Sequence, residues 1–161
     1  MPSPVASEQV ALACGPKGSP VYAVKHGGQG KLDDSWIAWK SEDREVSSDV
    51  GTPLLYKGKF YVLNGDKKNL ARVDPATGKV DWIGDLGTRV KIESSPTGAD
   101  GKIYFQNFKG EVLIVEAGDQ FKLLRTIPMG DENDDQLRAS VAVSQGNLFI
   151  RTGSKLYCIG K

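Results

Sequence analysis

One acidic segment has the spacing of oxygen ligands for a cation. Residues 131–135 read Asp-Glu-Asn-Asp-Asp, so that the first, third and fifth side chains carry carboxylate or amide oxygens. Calcium loops begin in this way, because oxygens at alternate positions converge on one ion. The pattern then fails, since Gln136 stands where the sharp turn needs glycine and Ala142 where a bidentate glutamate is needed. We predict a solvated connector and no metal site.

A glycine-rich segment beside the single histidine is a second candidate. Residues 27–31 read Gly-Gly-Gln-Gly-Lys, and such loops cradle phosphate when their backbone amides lead into a helix. Residues 32–40 lead into a predicted strand, so a flexible turn is favoured over a nucleotide site. His26 has no second histidine and no recognisable Ser or Cys nucleophile beside it, and we expect a solvated loop residue. The sequence predicts no catalytic residue, no metal ligand and no cofactor.

The cysteines and the overall charge exclude several function classes. Cys14 and Cys158 lie too far apart for a disulfide framework or a metal-ligand pattern, and we expect both to be buried small apolar residues. Lys and Arg number 21 against 20 Asp and Glu, for a net charge of +1. This charge gives no general attraction to nucleic acid or anionic membrane. Apolar runs such as residues 112–115 are far shorter than the roughly 20 residues of a membrane span.

The elements that position these residues repeat along the chain. Residues 52–62, Thr-Pro-Leu-Leu-Tyr-Lys-Gly-Lys-Phe-Tyr-Val, recur 43 positions later, at 95–105, as Ser-Pro-Thr-Gly-Ala-Asp-Gly-Lys-Ile-Tyr-Phe. A third copy spans residues 139–150, and a weaker one opens the chain at residues 3–13. A period of this length indicates a solenoid, a propeller or another repeat array.

Within each unit, short apolar segments alternate with Gly, Asn, Asp or Pro, which favours strands joined by tight turns. No window sustains helical periodicity. We predict an all-β fold: a β-propeller segment of four blades, each a four-stranded antiparallel sheet, with the last blade lacking its outer strand. The three outer strands are predicted at residues 35–40, 79–82 and 121–126. We predict a single domain over residues 1–161, with blades at about residues 3–40, 52–82, 95–126 and 139–159.

One motif indicates the type of repeat. Residues 70–82 read Leu-Ala-Arg-Val-Asp-Pro-Ala-Thr-Gly-Lys-Val-Asp-Trp. They resemble the tryptophan-docking repeat of the PQQ-like (quinoprotein-type) β-propellers, in which an Asp-x-x-Thr-Gly turn precedes a strand that ends in Trp. The matching residues are Asp74, Thr77, Gly78 and Trp82, and Trp39 stands 43 positions before Trp82.

The other units match this motif in part. Arg72 occupies the position where the repeat usually has alanine. The first unit has the usual alanine at this position, Ala23, and the last unit has Cys158 there. In the third unit Glu116 stands for the aspartate, and we expect Leu124 to stand for the tryptophan. The resemblance covers essentially the whole chain.

The motif residues are predicted to have a structural role in blade docking. The carboxylate of Asp74 and the hydroxyl of Thr77 can bond turn backbone groups, and Gly78 permits a positive φ. We expect Trp82 and Trp39 to lie across the gaps between blades, where burial of each ring stabilises the fold. A ligand-binding role for either tryptophan is the less favoured interpretation.

The resemblance implies two kinds of function. Quinoprotein dehydrogenases hold pyrroloquinoline quinone, commonly with calcium and in many cases beside a disulfide between adjacent cysteines. This chain has no adjacent cysteines, and no position can be assigned to the catalytic aspartate or the calcium ligands. The other kind is a scaffold, similar to the propeller lipoprotein of the outer-membrane barrel assembly machinery. The chain resembles the C-terminal half of such an exported bacterial protein, and we expect an envelope location for a longer parent.

Three hypotheses for function therefore stand at this point. The favoured one is a non-catalytic scaffold that binds another protein or an envelope component. The alternative is the ligand-binding or quinone-binding part of an oxidoreductase. A third is that the chain is half a ring made to study propeller assembly. Because four blades of this type resemble half a ring, we predict a homodimer that closes an eight-bladed ring, with another pairing or a strand-swapped form as the alternative.

Overall fold

The computed structural model describes residues 2–15 and 18–160, which form fifteen β-strands in four antiparallel sheets. Three sheets have four strands, and the last has three. The predicted all-β propeller segment of four blades is confirmed, and in the described residues the last blade has three strands and no outer strand. Residues 1, 16, 17 and 161, which the predicted domain includes, lie outside the described residues.

Each sheet is one blade, and its strands follow one another in chain order. Blade 1 contains β1 (Val5–Ala6), β2 (Val10–Cys14), β3 (Val21–Lys25) and β4 (Ile37–Lys40). Blade 2 contains β5 (Leu54–Tyr56), β6 (Lys59–Asn64), β7 (Asn69–Val73) and β8 (Val80–Asp85). Blade 3 contains β9 (Thr97–Ala99), β10 (Lys102–Gln106), β11 (Glu111–Glu116) and β12 (Leu123–Pro128). Blade 4 contains β13 (Ala142–Ser144), β14 (Asn147–Arg151) and β15 (Leu156–Ile159).

The first hairpin of blades 2, 3 and 4 has the same two-residue turn. In blade 2, Lys57 has φ 49° and Gly58 has φ 72°. Positive φ at both central residues is characteristic of the type I′ turn, whose twist matches that of the flanking strands. The equivalent pairs, also at positive φ, are Asp100–Gly101 and Gln145–Gly146. The repeated glycine therefore sets the register of these hairpins.

The core lies between blades, because each strand directs alternate side chains to opposite faces of its sheet. Leu12 and Ala23 of blade 1 pack with Phe60 and Val62 of blade 2. Two further clusters join blade 2 to blade 3 and blade 3 to blade 4. Within the described residues, no buried cluster joins blade 4 to blade 1, so the two end blades each have one face without a neighbouring blade.

The outer strands begin slightly later than predicted and two of them extend further. They span Ile37–Lys40, Val80–Asp85 and Leu123–Pro128. In blade 1 the first residues of the predicted strand form a 3₁₀ turn at Asp34–Trp36. The carboxylate of Asp33 caps this turn by accepting a hydrogen bond from the N–H of Ser35 at 2.9 Å. This local capping outweighs the strand preference of the segment.

Candidate functional site

The contact between blades 1 and 2 contains four of the five predicted docking residues. The indole Nε1 of Trp39, on β4, donates a hydrogen bond to the carbonyl of Pro75 at 2.8 Å. Its ring lies against Gly78, where a Cβ atom would be 2.6 Å from the indole Cδ2. Gly78 has φ +73°, a conformation that favours glycine. The missing side chain therefore permits both the turn and the approach of the ring.

Asp74 organises the turn that Trp39 contacts. Its Oδ1 accepts hydrogen bonds from the N–H of Ala76 at 3.1 Å, and from the N–H of Thr77 at 3.0 Å and its hydroxyl at 2.9 Å. The N–H of Gly78 donates to the Asp74 carbonyl at 2.9 Å. These bonds fix the turn and so fix the direction of the Pro75 carbonyl that receives the indole.

Trp82 makes the corresponding contact between blades 2 and 3. Its Nε1 donates to the carbonyl of Gly118 at 3.2 Å. The ring packs edge-on against Phe121, with centroids 5.4 Å apart, and lies 6.0 Å from the ring of Tyr61. Trp82 and Trp39 thus occupy equivalent places in successive blade contacts, each holding a carbonyl of the next blade.

An ion-pair network runs beside these contacts. Lys59 Nζ lies 3.0 Å from Asp74 and 3.1 Å from Asp81, and Arg72 lies 3.2 Å from Asp81 and 2.9 Å from Asp119 of blade 3. The Lys59 ammonium and then the Thr77 bonds lower the pKa of Asp74 to about 2. Arg72, noted in the sequence only as a departure from alanine, therefore forms a charged bridge between blades 2 and 3.

Blade 3 corrects the prediction for Leu124. In blade 2, Trp82 lies opposite Arg72. The equivalent residue of β11 is Ile114, and the residue opposite it is Arg125, not Leu124. Arg125 is exposed. The tryptophan position of blade 3 is therefore occupied by an exposed arginine.

The acidic connector is more than a solvated segment, which corrects the sequence prediction. Asp134 is buried at 7% exposure, and its carboxylate accepts hydrogen bonds from the N–H of Asp131 at 2.7 Å and of Gly153 at 3.1 Å. Asp131 forms an ion pair with Lys155 and accepts a hydrogen bond from the hydroxyl of Ser154. These carboxylates hold the turn between β14 and β15.

The expected burial of both cysteines is wrong for Cys158 and is met only in part by Cys14. Neither cysteine forms a disulfide; Cys14 is half-buried, whereas Cys158 is exposed on β15. Burial raises the pKa of the Cys14 thiol to about 11. His26 is exposed and donates from its ring Nε2 to the carbonyl of Ser7 at 2.9 Å. The glycine-rich segment turns with positive φ at Gly27 and Gly30.

A series of hydroxyl contacts joins the starts of successive blades. The N–H of Ser3 donates to the hydroxyl of Thr52 at 3.1 Å, and the N–H of Thr52 donates to the hydroxyl of Ser95 at 2.9 Å. The N–H of Ser95 then donates to the hydroxyl of Ser140 at 2.9 Å. We call this the hydroxyl series. Its direction is constant, because each blade gives an N–H and the next blade gives a hydroxyl.

The two ends of the array expose apolar surface. In blade 1, Ala11 and Val24 alternate with residues that pack on blade 2, and so lie on the opposite face. In blade 4, Phe149 and Leu156 alternate with residues that pack on blade 3. We define the first-blade face as Ala11, Ala13, Tyr22 and Val24, which are half-exposed, and the last-blade face as Ala142, Phe149, Leu156 and Cys158. Leu156 is 71% exposed.

Strand β15 has a free outer edge within the described part of the chain. Beside it, between β12 and β15, lies a groove of about 350 Å³. Its lining is mainly apolar and includes Tyr104, Ile114, Ile127, Leu148 and Ile159. An exposed edge and an apolar groove together can accept a further strand.

Comparison with known proteins matches the fold to solved structures. Neither a protein-family model nor a curated protein matches the chain. The structure of BamB from Moraxella catarrhalis is similar over 91% of this chain, with a TM-score of 0.62 and 13% identity. Quinohemoprotein alcohol dehydrogenase ADHIIG from Pseudomonas putida HK5 is similar over 91%, with a TM-score of 0.67 and 19% identity. The fold is a segment of a β-propeller like those of these proteins.

Two of the similar structures are much longer than this propeller segment. It spans 40% of the BamB chain and 27% of the dehydrogenase chain. The computationally designed Ika4 protein has a TM-score of 0.68 at 12% identity, and there the match covers 98% of this chain and 89% of the designed one. A chain of about this length with a similar fold therefore exists as a solved structure.

The described residues do not bring together the carboxylates that a metal site would need. Within residues 2–15 and 18–160, no three His, Cys, Asp or Glu side chains come together in a group that could hold a metal ion. The carboxylates of the Asp74 and Asp131 regions are bonded to lysines and to turn backbone instead. The donor set does not fit the calcium site that the resemblance to quinoproteins implies. No helix of the described part is long and apolar enough to cross a membrane.

Proposed function

We propose that this chain is a non-catalytic β-propeller scaffold for protein binding, and that its first partner is a second copy of itself. The observation that carries this proposal is the pair of apolar faces at the two ends of the array. Exposed patches of this kind normally mark an interaction surface. A second copy can cover both faces at once, because the last-blade face of each copy meets the first-blade face of the other.

The lengths of the similar structures support a partial ring. Nearly all of this chain matches only 40% of BamB, so a related complete structure is more than twice as long as four blades of this kind. Two copies of four blades would give eight, within the range of about four to eight blades of known propellers. A twofold axis along the centre of the ring would make the two junctions identical.

The rival function is a quinone-binding part of an oxidoreductase, favoured by the similarity to dehydrogenases. The test is reconstitution of the purified protein with pyrroloquinoline quinone and calcium, followed by absorption spectroscopy and an alcohol-dependent dye-reduction assay. We expect neither bound cofactor nor turnover, since the donor set does not assemble a calcium site. Stoichiometric quinone binding with turnover would contradict the scaffold proposal.

The scaffold proposal is tested directly by changing the last-blade face. Leu156→Asp places a charge on a side chain that is 71% exposed, so the fold of one copy is expected to survive. Sedimentation velocity at micromolar concentration should change from a dimer to a monomer. Val50→Asp is the matched control, because Val50 is 38% exposed in the connector between blades 1 and 2 and should leave the dimer intact. A Leu156→Asp protein with unchanged mass would contradict the proposal.

A further inference from the structure

The hydroxyl series has unused groups at its two ends. Thr52 and Ser95 each both donate through the N–H and accept through the hydroxyl. Ser140 accepts from Ser95, and within the described residues no following hydroxyl receives its own N–H. Ser3 donates to Thr52, and among the described residues no N–H donates to the Ser3 hydroxyl. The series therefore ends in a hydrogen-bond donor, the N–H of Ser140, and begins with an acceptor, the hydroxyl of Ser3.

We propose that the series continues between two copies of the chain, with the N–H of Ser140 in one copy donating to the hydroxyl of Ser3 in the other. The inference rests on the proposed self-association and adds the hydrogen bond that joins the last-blade face of one copy to the first-blade face of the other. Both residues are exposed, whereas Thr52 and Ser95, in the middle of the series, are half-buried. A second copy would give the end residues the environment that the middle residues already have.

The direction of the series selects one mode of pairing. A junction of blade 4 with blade 4 would bring two Ser140 N–H donors together, and each could donate only to a hydroxyl that already accepts from Ser95. A junction of blade 4 with blade 1 joins a donor to an acceptor. The hydroxyl series therefore favours a head-to-tail junction, which closes after two copies when the rotation between them is a half turn.

The sizes of the side chains on the two end faces also favour a junction of blade 4 with blade 1. Between blades 2 and 3, large residues on both sides fill the contact, including Tyr61 and Leu63 against Phe105. At the proposed junction, Phe149 and Leu156 would meet the first-blade face, where Ala11 and Ala13 of β2 are small beside Tyr22 and Val24 of β3. Small residues on one side leave room for large residues on the other, as close packing requires.

Cross-linking between single-cysteine variants tests the inference. In a Cys14→Ala, Cys158→Ser background, Ser3→Cys and Ser140→Cys proteins are made separately, mixed, allowed to exchange subunits and treated with a short bismaleimide. We expect the mixture to form covalent dimer at least about tenfold faster than either variant alone. The matched control is Thr52→Cys, Ser95→Cys in one chain, because the same hydrogen bond joins these residues and should give fast intramolecular cross-linking.

The outcomes separate this inference from the proposed function. If the mixture does not cross-link although the protein is dimeric and the control does, the Ser140–Ser3 junction and the eight-bladed ring are wrong, whereas self-association stands. Fast cross-linking of Ser140→Cys with itself would likewise overturn the inference in favour of a blade 4 to blade 4 contact. If scattering shows monomers, the self-association on which the inference rests fails, and the inference fails with it.

Discussion

Gly78 combines a backbone conformation and a contact that both disfavour a side chain. Gly58 offers a matched comparison, because its φ of +72° is nearly that of Gly78 but nothing lies within 4 Å of its Cβ position. Gly58→Ala should lower the free energy of unfolding by about 1 kcal/mol, the cost of a left-handed conformation. Gly78→Ala should cost about 1 to 3 kcal/mol more, because Trp39 must also move.

Denaturant melts of the two variants measure this difference. In a Trp39→Ala background the extra cost of Gly78→Ala should vanish, since the ring it would meet is gone. Equal costs for Gly78→Ala and Gly58→Ala in the wild-type background would show that the Trp39 contact is not tight.

Asp74 gives the fold a dependence on acid. Its pKa is about 2, below the ordinary value of 3.8, chiefly because of the Lys59 hydrogen bond. A group with a lowered pKa stabilises the fold fully above its unfolded pKa and loses that contribution as the pH falls towards the folded value. The carboxylate is 30% exposed, so we expect a contribution of about 1 to 2 kcal/mol at neutral pH.

The pH dependence is measured by denaturant melts between pH 2 and pH 7. The free-energy difference between wild type and Asp74→Asn should be largest above about pH 4 and should shrink towards pH 2. Lys59→Met should weaken the same dependence, because it removes the main cause of the lowered pKa. A constant difference between wild type and Asp74→Asn across this range would rule out the role assigned to the carboxylate.

Local spacing was sufficient to predict the turn at Asp74, Thr77 and Gly78, because all of its bonds lie within five residues. It was not sufficient to identify Arg125. In blade 2 the turn is closed by a bond from the N–H of Asp74 to the carbonyl of Lys79, whereas in blade 3 the bond runs from Glu116 to Lys122. The turn of blade 3 is thus one residue longer. Counting from the acidic residue therefore gives a position one residue too early.

At the scale of the element, Trp82 links β8 to the next blade by ring packing and by one hydrogen bond. Trp82→Ala should lower the free energy of unfolding by about 3 to 5 kcal/mol, the range for loss of a large buried aromatic side chain. Trp82→Phe keeps a ring but loses the bond to Gly118, and should cost about 1 kcal/mol beyond the change in packing.

The measurement is again a denaturant melt, with Trp36→Ala as the matched control. Trp36 lies in the 3₁₀ turn of blade 1 and outside the 43-residue register of Trp39 and Trp82, so its loss should cost less than that of Trp82. A cost below about 1 kcal/mol for Trp82→Ala would show that Trp82 does not hold blades 2 and 3 together.

The strands were predictable from the sequence because alternation and turn glycines act over a few residues. All fifteen lie within the predicted blade ranges, except that β8 and β12 extend past the predicted ends of their blades. The role of Asp134 was not predictable, because its burial depends on contact with Gly153, nineteen positions away. A short acidic segment has the same composition whether its carboxylates face solvent or hold a distant turn.

At the scale of the whole molecule, the four blades form three buried contacts between neighbours. In the part of the chain that the structure describes, the first-blade face and the last-blade face have no neighbouring blade. Phe149 and Leu156 on one end, and Tyr22 and Val24 on the other, are then partly in water. The near-neutral charge of +1 offers little repulsion between copies. The balance favours association, because burial of apolar surface stabilises a junction by about 25 cal/mol for each Å².

The most direct test of this account is the mass of the 161-residue chain in solution, measured by light scattering coupled to size exclusion at micromolar concentration. We predict a monodisperse species of twice 17.4 kDa, because two copies cover both end faces. A stable, monodisperse monomer of 17.4 kDa would contradict the account, since it would mean that the four blades need no second copy.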